Sequence, residues 1–317
     1  MKKTLVSLVS LLIVMFFVLG ALGGCIQKKP MPQKKLITEP TISLYINETG
    51  EVKRIKMEEY IQGVVAAEMD TNWPVNALAA QAILARTFTL KQIHDKGGVP
   101  AHKTDASTSV EEFQAYNSDK INDNVKEAVR LTRGKVVKYR NQYINAWFSA
   151  CDGGVVASAK EGLAYNKEKT PYIKAGVKDG CLAVTTPENK HWTASFPLNT
   201  VRAAVQGTSG NDTGDINSNN VSIVKKGPSG RAETIKIGKA TISGSALRLA
   251  LGSEKMRSIY LDSLSVNGGN LVMGGKGFGH GVGMCQWGAK KMALEGKSVV
   301  EIIKFYFRDV YIEKIWK

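Results

Sequence analysis

Residues 42–69 read ISLYINETGEVKRIKMEEYIQGVVAAEM, and this stretch decides the fold class. Its first half alternates apolar and polar residues around a turn signal at residues 47–50, which predicts a β-hairpin. In its second half apolar residues recur at three- and four-residue spacing, which predicts a helix over residues 57–69. A hairpin that runs directly into a helix, without a strand-helix-strand rhythm, favours an α+β fold.

The rest of the chain predicts the same class. An alanine-rich helix is expected over residues 74–93, a second hairpin over 135–148, and two closing helices between 284 and 307. Residues 207–220 are poor in apolar side chains and predict an exposed, variable excursion. We therefore expect residues 41–317 to combine β-hairpins and clustered helices, as one large domain or as two closely packed lobes with a cleft.

The first 25 residues have the layout of a secretory signal. Two lysines precede an apolar run over residues 5–22, which leads into Gly-Gly-Cys25. This ending is similar to a bacterial lipobox, in which Cys25 carries a lipid; an uncleaved transmembrane helix is the alternative, since roughly 20 apolar residues span a bilayer. Either anchor places the rest of the chain on the extracytoplasmic face of the cell membrane, with residues 26–40 as a basic linker.

The charge and the cysteines limit the possible partners. The formal net charge is +15, which attracts anionic partners, and for an exported protein these are lipids and cell-wall polymers. Because no nucleic-acid signature accompanies the charge, we expect no nucleic-acid partner.

If Cys25 is lipidated, an odd number of cysteines remains, so one disulfide or three buried thiols are both open. Those three are Cys151, Cys181 and Cys285.

Glu68 is the most unusual residue of the first predicted helix, because it ends an apolar stretch. Desolvation disfavours a charged carboxylate, so we expect its pKa to rise toward values useful to a general acid. An exposed helix-terminal glutamate is the alternative. Arg86 is the natural partner, since a guanidinium buried in an alanine-rich helix needs an acceptor or a ligand; an ordinary solvated arginine is the alternative.

A glycine-rich loop forms the second candidate for a site. Residues 277–289 read GFGHGVGMCQWGA, and glycine at alternate positions lets a ligand approach the backbone closely. His280 and Gln286 supply hydrogen-bonding groups, and Trp287 offers a plane on which a sugar can stack. The spacing differs from that of a dinucleotide site, and one histidine with one glutamine is too little for a metal site. A tight strand-to-helix turn is the structural alternative.

Three stretches together resemble the SpoIID/LytB family. They are residues 57–88, which include Glu68 and Arg86, residues 148–154 (FSACDGG), and residues 279–289. The resemblance implies a lytic transglycosylase, which cuts the glycan between N-acetylmuramic acid and N-acetylglucosamine and leaves a 1,6-anhydromuramic end. It implies that Glu68 acts twice, first protonating the glycosidic oxygen and then deprotonating the sugar's C6 hydroxyl, so that no second carboxylate is required.

The resemblance also implies the surroundings of Glu68. It places Arg86, His280 and Gln286 around the cleft, where they bind glycan or hold Glu68, and it loosely places Lys190 in a sugar-contact stretch. Some family members carry a zinc cluster, but the four ligand places here hold Ala101, Ser107, Glu112 and Phe113, with His102 one step out of register. We predict no metal and no cofactor. Cys151 and Cys285 lie within two of the motifs, so we expect them to be neighbours.

The function implied by the resemblance is cell-wall cleavage in the engulfment step of sporulation. Peptidoglycan glycan strands are then the substrate, the membrane holds the N-terminal anchor, and other engulfment cell-wall hydrolases are expected partners. Two other classes remain open. One is a noncatalytic wall-binding protein that enhances an amidase, and the other is a lipoprotein whose basic surface only docks on the wall.

Overall fold

A computed structural model describes residues 38–317, and it combines helices with several small sheets. The described strands form two- and three-stranded sheets that are mostly antiparallel, and no barrel closes among them. The predicted α+β class is confirmed. The signal-like segment, Cys25 and most of the linker lie outside the described residues. Within residues 38–317 no helix is both long and apolar enough to cross a membrane.

The helices are α1 (Met57–Glu68), α2 (Val75–Lys96), α3 (Asp123–Leu131), α4 (Ala159–Leu163), α5 (Pro187–Lys190), α6 (Leu198–Ser209), α7 (Gly244–Ala250), α8 (Gln286–Leu294) and α9 (Val299–Tyr306). The strands are β1 (Thr41–Tyr45), β2 (Val52–Lys56), β3 (Ala106–Ser107), β4 (Lys135–Tyr139), β5 (Gln142–Tyr143), β6 (Phe148–Ser149), β7 (Trp192–Pro197), β8 (Val221–Lys226), β9 (Ala232–Ile237), β10 (Ala240–Ser243), β11 (Leu261–Asn267), β12 (Asn270–Gly275), β13 (Met284–Cys285) and β14 (Tyr311–Lys314). A 3₁₀ turn occupies Cys181–Ala183.

Two hydrophobic cores divide the described part of the chain. The first gathers α1, α2, α3, α8 and α9 with β4, and we call it the helical lobe (residues 42–181 and 282–316). The second lies among β7 to β12 with α6 and α7, and we call it the sheet lobe (residues 192–273). The chain therefore leaves the helical lobe once, builds the sheet lobe, and returns through the glycine-rich loop.

Helix α2 is the centre of the helical lobe. Every residue from 77 to 87 is buried, and α1, α3, α8 and α9 all pack against this helix. Its alanines let these neighbours approach closely, because a methyl side chain adds little width. The helix ends at Gly97, whose φ of 73° is left-handed and therefore favours glycine. This packing fixes the direction of α1, whose last residue is Glu68.

Two sequence-based predictions need correction. Residues 135–148 do form a hairpin, but its second strand, β5, covers only two residues. Residues 148–149 instead form β6, which pairs in parallel with β13, a distant contact that local alternation cannot reveal. The excursion at 207–220 is not wholly exposed, since its first residues complete α6 and both Thr213 and Ile216 are buried.

Candidate active site

An open cleft of about 640 Å³ lies where the two lobes meet. Its helical-lobe wall includes the end of α1, β6 and the glycine-rich loop, and its sheet-lobe wall follows α7. The lining residues are Ala67, Glu68, Phe88, Val110, Phe113, Gln114, Trp147, Phe148, Ser149, Ala150, Arg248, Ser253, Glu254, Phe278, Gly279, His280 and Gln286. The cleft is thus a mixed polar and aromatic groove, the kind of surface that a chain of sugars can occupy.

Glu68 faces this cleft from the last position of α1. The backbone N–H of Ala115 donates a hydrogen bond of 3.1 Å to its Oε1, and the side chain of Gln286 forms a second hydrogen bond. No lysine or arginine of residues 38–317 forms a salt bridge with it. Burial raises the pKa of Glu68 to about 7, although both hydrogen bonds lower it. The group can therefore give up and take back a proton near neutral pH.

Gly63 explains how the backbone of Ala115 reaches Glu68. A Cβ atom at Gly63 would lie only 2.2 Å from the ring of Tyr116, so only glycine lets that ring rest against α1. The N–H of Asn117 donates to the Gly63 carbonyl at 3.0 Å and fixes the same loop. The loop then presents the Ala115 N–H to the carboxylate. Ala115 is a neighbour of Glu68 that the sequence did not single out, although Gly63, a glycine inside a helix, is a sign of this close approach.

The glycine-rich loop packs tightly against β6. Gly277, Gly279, Gly281 and Gly283 all have positive φ, and a Cβ at Gly283 would lie 2.0 Å from the carbonyl oxygen of Trp147. The glycines therefore serve a tight turn from one lobe to the other, which was the structural alternative. The turn nevertheless brings two predicted site residues, His280 and Gln286, to the cleft.

His280 and Gln286 play different parts at the cleft. The Val282 N–H donates to Nδ1 of His280 at 3.0 Å, and burial together with Arg248 and Arg231 lowers the pKa of His280 to about 3. A neutral ring with this bond carries its proton on Nε2, so it acts as a hydrogen-bond donor rather than as an acid. Gln286 begins α8, is buried, and contacts the Glu68 carboxylate, which links the two sequence motifs directly.

Arg86 does not reach the cleft, so its predicted role there is wrong. Its side chain is fully buried, and its Nη2 and Nε lie 2.5 and 3.2 Å from the carboxylate oxygens of Glu58. Glu58 also accepts from the Gly134 N–H at 2.9 Å and from Trp316 Nε1 at 3.0 Å. The guanidinium does have an acceptor, as its buried setting requires, but that acceptor lies at the opposite end of α1 from Glu68.

The structure does not bring Lys190 to the cleft either. Lys190 ends α5 with an exposed side chain, and Trp192, two residues on, is buried in the core of the sheet lobe. Trp287 lies outside the cleft lining as well, because its ring packs 4.6 Å from that of Trp73. The predicted sugar-contact and stacking roles of Lys190 and Trp287 therefore have no support in the geometry.

Two charged residues of the sheet lobe line the cleft and were missed. Arg248 donates through Nε to the Arg257 carbonyl at 3.1 Å and through Nη2 to the Ser253 carbonyl at 3.2 Å, which holds it at the rim. Glu254 lies beside it with an exposed side chain. No motif in this part of the sequence marks either residue, so composition and spacing gave no signal for them.

The zinc-like run of residues 101–113 has another explanation in the structure. The Nε2 of His102 lies 3.0 Å from Glu112 Oε1, and the ring stacks on Tyr45 at 3.6 Å, so His102 is held by protein partners.

The expected closeness of Cys151 and Cys285 is confirmed. Their sulfur atoms lie within 4.8 Å of each other and of Cys181, and all three are buried free thiols.

These features define a class: a two-lobed α+β protein with one desolvated carboxyl group in a sugar-sized cleft. A family model described as "Stage II sporulation protein" matches residues 45–139, which contain Glu68 and Ala115. The chain is 30% identical over 286 residues to Stage II sporulation protein D of Bacillus subtilis, which covers 86% of this chain and 79% of that protein. The chain belongs to the SpoIID family.

Two further relatives extend this comparison. An uncharacterized protein of Brachyspira hyodysenteriae is 33% identical over 264 residues, covering 82% of this chain and 67% of that protein. The amidase enhancer of Bacillus subtilis is 28% identical over 288 residues, covering 78% of this chain but only 39% of that protein. The similarity therefore spans both lobes, including the region between residues 192 and 273.

Proposed function

We propose that this protein is a lytic transglycosylase that cuts peptidoglycan glycan strands during cell-wall remodelling in sporulation. The observation that carries the proposal is Glu68, a carboxyl group in the interlobe cleft with a pKa raised to about 7 and with no salt bridge to any lysine or arginine of the described residues. The protein then works on the extracytoplasmic face of the membrane, tethered through its N-terminal segment, beside other wall hydrolases of engulfment. The family membership and the names of the sporulation relatives support this setting.

The first chemical step is protonation of the leaving group. Protonated Glu68 gives its proton to the oxygen that joins C1 of N-acetylmuramic acid to N-acetylglucosamine. The C1–O bond breaks, its electron pair stays on the departing oxygen, and positive charge develops at C1 and the ring oxygen. Burial supports this step, because it favours the neutral acid before transfer.

The second step closes the anhydro ring and restores the enzyme. The Glu68 carboxylate takes the proton from the C6 hydroxyl of the same muramic residue, and O6 bonds to C1. No water is consumed, and Glu68 is protonated again. The Ala115 N–H and the Gln286 side chain stabilise the carboxylate between the two steps. A pKa near the working pH suits one group to both roles.

The cleft walls suit a glycan substrate. Trp147, Phe148 and Phe278 provide apolar surface for sugar faces, and Arg248 provides a cation at the rim. The lactyl carboxylate of muramic acid is a natural partner for that cation. Glu254, the other carboxylate of the lining, is exposed to solvent, whereas Glu68 is desolvated.

A noncatalytic role is the second candidate. The similarity to the amidase enhancer of Bacillus subtilis favours it, since a wall-binding protein can use the same cleft without cutting. In that case Glu68 contributes a hydrogen bond to bound glycan, and an amidase performs the cleavage.

Digestion of purified peptidoglycan separates the candidates. The protein is incubated with sacculi stripped of other hydrolases, and the soluble products are analysed by mass spectrometry. We expect new 1,6-anhydromuramic ends. New reducing ends would indicate a water-consuming hydrolase, and retained binding with no new ends would indicate the enhancer. A Glu59→Gln protein is the matched control, because Glu59 lies on the same helix but is exposed.

A further inference from the structure

Five buried side chains with metal-binding atoms converge behind the glycine-rich loop, and none of them lines the cleft. Their exposed fractions are 5% or less, so water cannot satisfy them. They come from three separate parts of the chain: the end of β6, the 3₁₀ turn, and β13. The five are Cys151, Asp152, Asp179, Cys181 and Cys285.

The donor atoms are already close together. One oxygen each of Asp152 and Asp179 and the sulfurs of Cys181 and Cys285 all lie within 4.8 Å of one another. The sulfurs of Cys151, Cys181 and Cys285 also lie within 4.8 Å of one another. Bonds of about 2.0–2.3 Å to a tetrahedral ion place ligand atoms roughly 3.3–3.8 Å apart. A small inward movement of these side chains is enough to bind one ion.

The cluster holds two carboxyl groups together in the interior, beside the buried guanidinium of Arg231. Asp152 Oδ2 is buried without any hydrogen-bond partner, and neither Asp152 nor Asp179 forms a salt bridge within residues 38–317. The nearby guanidinium of Arg231 donates instead to the carbonyl oxygens of Asp152 and Val155. Two adjacent carboxyl groups in a dry interior are costly unless a cation or a proton neutralises them.

An outer layer of hydrogen bonds already orients the donors. Tyr306 Oη donates to Asp179 Oδ2 at 2.9 Å, and the backbone N–H groups of Asp152 and Gly288 point at the Cys285 sulfur at 3.4 and 3.3 Å. Gly288 is required there, since a Cβ would lie 1.9 Å from Asp179 Oδ2. Such outer partners are a usual feature of metal sites, where they fix the ligands.

A disulfide explains less of this arrangement. The sulfurs of Cys151 and Cys181 are 3.5 Å apart, so this pair is the natural one to oxidise. That bond would bind neither carboxyl group and would leave the Cys285 thiol outside it. A divalent ion binds both carboxylates and, once the Cys181 and Cys285 thiols have released their protons to solvent, both thiolates at the same time.

We propose that Asp152, Asp179, Cys181 and Cys285 bind one divalent cation of the zinc type, with Cys151 beside it. Two thiolates and two carboxylates form a closed, all-protein set of four, which is typical of structural rather than catalytic zinc. The ion ties the 3₁₀ turn to β6 and to the start of α8, where Gln286 follows Cys285 directly. The site therefore supports the wall of the cleft. It departs from the sequence-based prediction of no metal.

Metal content and spectroscopy of the full chain test this proposal. Protein purified under reducing conditions should contain about one zinc per chain by elemental analysis. After chelation and dialysis, added Zn²⁺ should raise the melting temperature, and added Co²⁺ should produce a thiolate-to-cobalt charge-transfer absorption. Tyr306→Phe, which removes an outer hydrogen bond only, should weaken metal binding about 10- to 100-fold.

Variants assign the ligands. Asp152→Asn and Cys285→Ser should lose the stoichiometric metal, whereas His102→Ala, in the zinc-like run, should keep it. A wild-type chain that shows no bound zinc and no cobalt absorption would overturn the proposal whether or not the variants fold. A Cys151–Cys181 disulfide found by mass spectrometry in metal-free protein would favour the redox alternative. Retention of metal by both ligand variants would place the ion elsewhere.

Discussion

The two ends of α1 hold glutamates in opposite ways. Glu58, near the start, is buried against Arg86 and accepts two further hydrogen bonds from Gly134 and Trp316. Glu68, at the end, is also desolvated, but it has only neutral donors and opens onto the cleft. Both residues belong to the same short helix, so local sequence alone does not separate them.

This difference shows what converts a buried glutamate into a candidate acid. Both carboxyl groups are buried, but Glu58 forms an ion pair with the Arg86 guanidinium, which offsets the cost of its burial. In the described part of the chain no lysine or arginine forms a salt bridge with Glu68, and its proton becomes exchangeable near neutral pH. One end of α1 is therefore structural and the other is suited to chemistry.

The largest expected effect is the loss of cleavage in Glu68→Gln. The amide keeps the shape of the side chain but cannot deliver a proton, so the rate of anhydro-end formation should fall by about 10²- to 10⁴-fold or more. Glycan binding and folding should persist. Glu59→Gln should cleave at the wild-type rate. Near wild-type cleavage by Glu68→Gln would instead direct attention to Glu254, the other carboxylate of the lining.

The next effect is a loss of stability at the opposite end of the helix. Arg86→Ala leaves Glu58 buried without its cation and should lower the free energy of unfolding by about 3–5 kcal/mol in urea denaturation. Arg130→Ala is the control, because its ion pair with Glu127 lies on the surface, so the free energy of unfolding should change little. If both variants lost the same free energy of unfolding, the Glu58–Arg86 pair would have no special structural role.

A smaller effect concerns pH and stability in Glu68→Gln. The folded-state pKa of Glu68 is raised from 4.5 to about 7. Its contribution to the free energy of unfolding is therefore most favourable below pH 4.5 and is lost as the pH rises to about 7. The glutamine has no such dependence. The melting temperature of the variant, relative to wild type, should therefore increase between pH 4 and pH 8. A difference that stays constant with pH would contradict the raised pKa.

The smallest effect is expected at Gln286. Its hydrogen bond lowers the pKa of Glu68, so Gln286→Leu should raise that pKa by up to about one unit. Because cleavage begins with protonated Glu68, the high-pH decline of the rate should move to higher pH by the same amount. Gln206→Leu, at an exposed position on α6, should leave the profile unchanged. A shift to lower pH would show that Gln286 does not stabilise the carboxylate.

Local patterns predicted the parts of the molecule that local forces determine. The hairpin, α1, α2 and the position of Glu68 follow from periodicity, and the glycine-rich loop did bring His280 and Gln286 to the cleft. Arg86 was misplaced because periodicity says that a residue is buried but not which distant group it meets. The closeness of Cys151 and Cys285 was predicted, but the same limit hid Asp179 and Cys181, which lie in the same cluster.

The central claim is that Glu68 holds an exchangeable proton near neutral pH, and carboxyl titration by NMR measures this directly. Protein labelled with ¹³C at the glutamate side-chain carboxyl is titrated, and the Glu68 resonance is assigned by its absence from Glu68→Gln. We expect that resonance to titrate with a midpoint near pH 7. A midpoint below about pH 5, in the ordinary range of an exposed glutamate, would contradict the account.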